Sequence, residues 1–193
     1  EPLRYLRLCG RFGATVLKTM PGTPSSREAT ERQWGRFRRA MEVIVPVARK
    51  EGALIVIENH LGHLSDSIET SERCLEAGDA DALAINLDFC NVRTCGEDPL
   101  AAIDRFEGRI GFTHVKDSLF TLDSGEYVPM GRGKMAYPPI VERLREIGYD
   151  GYLSLECLYP WAKAEDPAAA VAHDLDVLHW LLGTGQTDRR DLA

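Results

Sequence analysis

The sequence predicts an α/β fold built on a parallel sheet. Five short apolar runs alternate with amphipathic helical stretches, and no low-complexity linker separates them. One run, Leu54-Ile55-Val56-Ile57, is unbroken in the way of parallel strands buried on both faces.

Leu3, Leu6, Cys9 and Phe12 recur every three residues, the face of a helix that Gly13 ends. Ala14 to Met20 reads as a strand, closed by the turn formers Pro21-Gly22-Thr23-Pro24. Ser25, Ser26 and Glu28 supply helix-start chemistry, and Trp34, Phe37, Met41, Ile44 and Ala48 form the apolar stripe of the helix that follows. Pro46 is expected to kink or divide that helix. After the LIVI strand, helical sequence from Ile68 to Ala77 leads to the strand Leu83 to Leu87. A helix capped by Asp98, with Pro99 in its first turn, leads to Ile110 to Thr113. A loop from Ser118 to Tyr137 precedes a helix carrying Pro138, Ile140, Leu144 and Ile147, stopped by Gly148. Gly151 to Leu155 is the last strand. Asp166-Pro167 opens a final helix with Val171, Leu175, Leu178 and Leu182 on one face, and residues 183–193 read as a polar tail.

Composition narrows the function classes. The 193 residues carry 23 Lys+Arg against 30 Asp+Glu, a net charge of −7, which argues against holding nucleic acid or an anionic membrane by charge. No apolar run reaches the roughly 18 residues of a membrane span. Five scattered cysteines without a CxxC pair favour free thiols in a reducing cytoplasm.

The chemistry is at the strand ends. Glu58, Asp88, His114 and Glu156 each close one of the last four strands, at steps of 30, 26 and 42 residues. A βα unit takes about 30 residues, so these steps place one ligand at the carboxyl end of each of four successive parallel strands, the rim on which α/β barrels carry their active sites. A single acid there is more often a cap or a surface charge; four in register are not. Three carboxylates and an imidazole make a hard donor set suited to Mn²⁺, Mg²⁺ or Co²⁺ and open to Zn²⁺.

Five short motifs, in order, carry a resemblance. Ile57-Glu58-Asn59-His60, Leu87-Asp88-Phe89-Cys90-Asn91, Thr113-His114-Val115-Lys116-Asp117, Gly131-Arg132-Gly133 and residues 148–156 are similar to those of the sugar phosphate isomerase/epimerase group of xylose-isomerase-like TIM barrels. The resemblance runs from about Ala14 to Leu182. It implies a (β/α)₈ barrel domain over residues 1–182, one divalent metal ion (Mn²⁺ first) on Glu58, Asp88, His114 and Glu156, and an acid/base role for Glu58 and Glu156. It also implies a metal-dependent isomerase or epimerase acting on a small ketose, keto-cyclitol or sugar phosphate through an enediolate. A dehydratase of inosose or dehydroshikimate type using the same site is the alternative. A proton next to a carbonyl is too weakly acidic to leave unaided, so such a site needs a Lewis acid for the oxygen and a carboxylate for the carbon.

Substrate-binding expectations fall on His60, Asn91, Lys116 and Arg132. Each has a plainer reading: a solvated loop histidine, a hydrogen-bonded asparagine where some relatives have histidine, a lysine paired with a neighbouring acid, an exposed arginine in a tight turn. Asp117 reads as a partner of a ligand or a loop cap, and Tyr159 and Trp161 as a wall for a sugar ring. The partner expected is a small sugar or keto-cyclitol, with homo-oligomerisation left open. A related apurinic endonuclease is disfavoured by the acidic charge and the lack of further histidine ligands, and a non-catalytic barrel by the complete ligand set. A barrel of about 250 residues would need three more βα units, so the sequence predicts the carboxyl-terminal part of a barrel without its first three strands.

Overall fold

The computed structural model describes residues 2–120, 126–157 and 166–184. Its elements run α1 (Pro2–Phe12), β1 (Val16–Thr19), α2 (Glu31–Glu51), β2 (Leu54–Glu58), α3 (Ile68–Leu75), β3 (Leu83–Asp88), α4 (Phe89–Thr94), α5 (Pro99–Arg105), β4 (Ile110–Val115), β5 (Asp117–Ser118), β6 (Tyr127–Val128), α6 (Tyr137–Glu146), β7 (Leu153–Leu155) and α7 (Pro167–Leu182). Five strands form one sheet in the order β1-β2-β3-β4-β7, and β5 pairs with β6 in a separate antiparallel ribbon. The chain divides into two compact units, residues 1–113 and 114–193.

In the first unit, β1, β2 and β3 are parallel, with Val16 opposite Leu54 and Ile55 opposite Leu83. Every residue of β3 is buried, as its uninterrupted LAINL run requires of a strand covered on both faces. β4 joins β3 through the Ile85 N–H, which donates to the Arg109 carbonyl at 2.8 Å. Only glycine fits where β4 passes β2 and β3: a Cβ at Gly111 would fall 2.7 Å from Leu54 Cδ2 and 2.9 Å from Ala84 Cβ and Val56 Cγ1.

Three expectations about α2 change. Ser25 and Ser26 form a turn, and the cap is Thr30, whose hydroxyl accepts from Arg32 N while Gln33 Oε1 accepts from Thr30 N. The helix runs through Pro46 undivided. Pro46 and Glu42 lie on its exposed side, so the Glu42 carbonyl that Pro46 leaves without a helical donor opens to water. Val45, not Ile44, completes the buried stripe with Trp34, Phe37, Met41 and Ala48. α4 was not foreseen; it starts on the strand-end residue Asp88 itself.

In the second unit the Glu156 N–H donates to the Val115 carbonyl at 2.9 Å, joining β7 to the end of β4. The expected loop after Ser118 contains the β5–β6 ribbon. Asp166 caps α7 by accepting from Ala168 N and Ala169 N. The buried face of α7 differs from the apolar stripe: Asp174, Val177 and Leu178 are buried, whereas Leu175 is 40% exposed. Asp174 turns inward because its carboxylate has partners there, the Met130 N–H at 2.9 Å and the Cys157 thiol at 3.4 Å. All five cysteines are free, and no helix among the described residues is long and apolar enough to cross a membrane.

Candidate metal centre

Two carboxylates end adjacent strands of the first unit. Glu58 closes β2 and Asp88 closes β3, and they are 2% and 0% exposed. A buried carboxylate needs compensation. Glu58 has it from Lys18 of β1, whose Nζ lies 2.5 Å from Glu58 Oε2. Leu17 and Thr19 line an apolar cavity of about 320 Å³ against α2, so strand alternation turns Lys18 to the opposite face, the one Glu58 occupies.

Asp88 is held by backbone and amide groups. Its Oδ1 accepts from Asn91 N at 2.8 Å as the cap of α4. Asn59, the residue after Glu58, grips the Asp88 backbone from both sides: Oδ1 accepts from Asp88 N at 2.8 Å and Nδ2 donates to Asp88 O at 3.0 Å. Asn91 Nδ2 then donates to Asn59 O at 3.0 Å, and Ser65 Oγ to Glu58 O at 2.6 Å. These bonds lock the β2 and β3 ends in register, so the two carboxylates cannot drift independently. Asn91, expected to touch substrate, is 4% exposed and part of this frame.

The second unit carries the other two residues. His114 Nδ1 lies 3.6 Å from Glu156 Oε1, and Lys116 Nζ 2.6 Å from Glu156 Oε2. Lys116 is fixed at both ends: the Tyr137 hydroxyl accepts its N–H at 3.0 Å and donates to its carbonyl at 2.6 Å, and its ammonium sits 5.4 Å from the Tyr127 ring centroid. The plainer reading of Lys116, an ion pair, describes its contacts. Asp117 is a loop cap. Its Oδ1 accepts from Ser118 N and Met135 N, and its Oδ2 from Gly131 N and Gly133 N, all at 2.9–3.1 Å. Glycine is required at 133, since a Cβ there would overlap the Asp117 carboxylate and stand 2.7 Å from Ser118 O. Arg132, between the two pinned glycines, is exposed.

His60 Nδ1 lies 2.8 Å from Leu61 O and its ring packs edge-on against His63 at 5.0 Å, a local loop arrangement. Cys90 is buried, and Cys157 gives its thiol to Asp174. Tyr159 and Trp161 lie outside the described residues. Lys18 and Asn59 are the members of the site that sequence reasoning missed. Lys18 had a readable signal, a single charge within the apolar strand ATVLKTM.

Glu58 and Asp88 in the first unit, and His114 and Glu156 in the second, each offer a donor atom of a kind that could hold a metal ion. The donor set fits a hard divalent cation, and each glutamate has its own lysine partner. Acids and a histidine at the ends of parallel strands are the arrangement found at the rim of α/β barrels. Residues 3–181 match the model of the xylose isomerase-like TIM barrel family, and the chain belongs to that family.

Its relatives divide by reaction. The inosose dehydratase of Lacticaseibacillus casei is 28% identical over 156 residues, 73% of this chain and 50% of that protein. The chain therefore spans about half the length of the curated relatives it matches. Among solved structures, the probable 3-DHS dehydratase AsbF from Bacillus anthracis superposes with a TM-score of 0.77 at 20% identity, over 92% of this chain and 68% of AsbF. An L-ribulose 3-epimerase gives 0.80 at 18% identity, over 95% of this chain and 66% of the epimerase. These two likenesses establish the fold.

Proposed function

We propose that Glu58, Asp88, His114 and Glu156 hold one divalent cation, Mn²⁺ first, and that the protein removes a proton next to the carbonyl of a small ketose or keto-cyclitol. The cation supplies Lewis-acid polarisation of the carbonyl when bound. One glutamate accepts the proton from carbon. The other, in its protonated form, delivers a proton to the opposite face, which gives an epimer, to the neighbouring carbon, which gives an isomer, or to a departing β-hydroxyl, which gives a dehydrated product. The observation that carries this reading is the pairing of each glutamate with its own lysine, Lys18 on Glu58 and Lys116 on Glu156. A carboxylate that accepts a charge-assisted hydrogen bond from an ammonium presents the kind of acceptor oxygen a hard divalent cation takes.

Dehydration has its own support in the sequence relatives, which are inosose dehydratases. The two outcomes separate in one experiment. The Mn²⁺-loaded protein is incubated with ketoses and a keto-cyclitol in deuterated water. Dehydration gives a conjugated enone seen by ultraviolet absorbance; epimerisation gives deuterium at the carbon next to the carbonyl with no new absorbance. Glu156→Gln should abolish both while keeping the fold. Full turnover in that variant would sink the acid/base assignment, and absence of Mn²⁺ binding by calorimetry would sink the metal site.

A further inference from the structure

The two lysines are not equivalent. The Lys116 side chain is 3% exposed and its backbone is clamped by Tyr137, so it is sealed onto Glu156. The Lys18 side chain is 41% exposed, while the carboxylate it touches is 2% exposed. The Lys18 side chain therefore runs between a buried acid and solvent. β1 also gives this side chain freedom that Lys116 lacks, since no tyrosine or carbonyl contact to its ammonium accompanies the ion pair among the bonds the structure gives Lys18.

A cation ligated by Glu58 and an ammonium 2.5 Å from one of that carboxylate's oxygens repel each other, and both draw on the same two oxygens. We propose that Lys18 exchanges partners: it yields Glu58 to the metal and turns on its open side to an anionic or strongly polarised oxygen of the substrate. This rests on the metal reading above and extends it. The ammonium paired with Glu58 becomes a substrate-binding group, and the substrate class favoured is one with a carboxylate or a developing oxyanion next to the metal-chelating oxygens. Lys116 stays where it is and acts through Glu156, as a positioning residue.

The test uses two probes on one set of variants, Lys18→Met, Lys18→Gln, Lys18→Arg and Lys116→Met, each checked for fold by circular dichroism. Calorimetry first measures Mn²⁺ alone, then glycolate, a hydroxy-carboxylate chelator, on the Mn²⁺-loaded protein. Removing a unit positive charge roughly 5 Å from a divalent ion in a largely solvated setting should tighten Mn²⁺ about tenfold in Lys18→Met and Lys18→Gln. The same variants should bind glycolate about tenfold more weakly, the loss of one charge-assisted hydrogen bond. Lys18→Arg should leave Mn²⁺ affinity near wild type. Opposite signs for the two probes cannot come from a merely structural lysine, whose loss would weaken both. Lys116→Met should weaken Mn²⁺ by misplacing Glu156. Unchanged or weaker Mn²⁺ binding in the Lys18→Met and Lys18→Gln variants overturns the exchange, as does unchanged glycolate binding. If wild type itself fails to bind Mn²⁺, the metal reading fails first and the exchange falls with it.

Discussion

Asp117→Asn is the substitution whose consequence the structure fixes most closely. The Asp117 side chain is 2% exposed and its two oxygens divide four backbone N–H groups, Ser118 and Met135 on Oδ1, Gly131 and Gly133 on Oδ2. Asparagine has the same shape but only one oxygen. Whichever way the amide is placed, two N–H groups face its NH₂ and lose their acceptor. Hydrogen bonds to a charged acceptor contribute about 1.5–3 kcal/mol each, so the loss of two costs about 3–6 kcal/mol if the turn stays in place. Opening of the turn to water limits the loss, which puts the expected value near 3 kcal/mol. With a urea dependence of about 2 kcal/mol per molar for a chain of this size, the unfolding midpoint should fall by about 1.5 M. Hydrogen exchange gives the local readout: the Gly131, Gly133 and Met135 amides should lose protection before those of β2 and β3. A midpoint within about 0.3 M of wild type, or protection unchanged at those amides, would refute the reasoning.

Asn59→Leu keeps the branched outline of the side chain, with bulkier methyls in place of the amide oxygen and nitrogen, and strips both partners from the Asp88 backbone. It should cost about 2–4 kcal/mol and weaken Mn²⁺ about tenfold or more, read by urea unfolding and calorimetry; unchanged metal affinity would show that the frame does not orient Asp88. Burial pushes the Cys74 thiol up to about 12 and the Cys95 thiol up to about 11. Thiols raised in the fold bind their protons more tightly than in the unfolded chain, so the stability they contribute is complete below about pH 9 and is lost as pH climbs towards 11 and 12, at about 1.4 kcal/mol per pH unit for each thiol. Urea midpoints between pH 8 and 10.5 should fall along that slope and flatten in Cys74→Ala; an equal slope in that variant would contradict the burial cause.

Periodicity and turn chemistry made the β/α alternation legible because most elements obey their local signals. Asp98-Pro99 and Asp166-Pro167 open helices where expected, and Gly52, Gly148 and Gly183 follow helix ends with positive φ. The misses have separate origins, one local, one tertiary and one of length. Thr30 took the cap from Ser25 and Ser26 because Gln33 completes a reciprocal pair. Asp174 replaced Leu175 on the buried face because Met130 N and Cys157 face it. The β5–β6 ribbon is two residues a side, too short to leave a period in the sequence.

The same distinction separates the strand-end acids from the groups that serve them. An acid at the end of an apolar run announces itself by position, since the run fixes the strand and the strand fixes the rim. A counter-charge announces less, because it arrives from a neighbouring strand at a separation no motif encodes: 40 residues for Lys18 to Glu58, and again 40 for Lys116 to Glu156. Each lysine lies on, or one residue past, a strand next to that of its glutamate, β1 beside β2 and β4 beside β7. Where an apolar strand carries a lone lysine one strand before a terminal acid, alternation alone predicts that the two meet. On that argument Lys18 belongs to the site as securely as Lys116, although only the latter lies inside a motif.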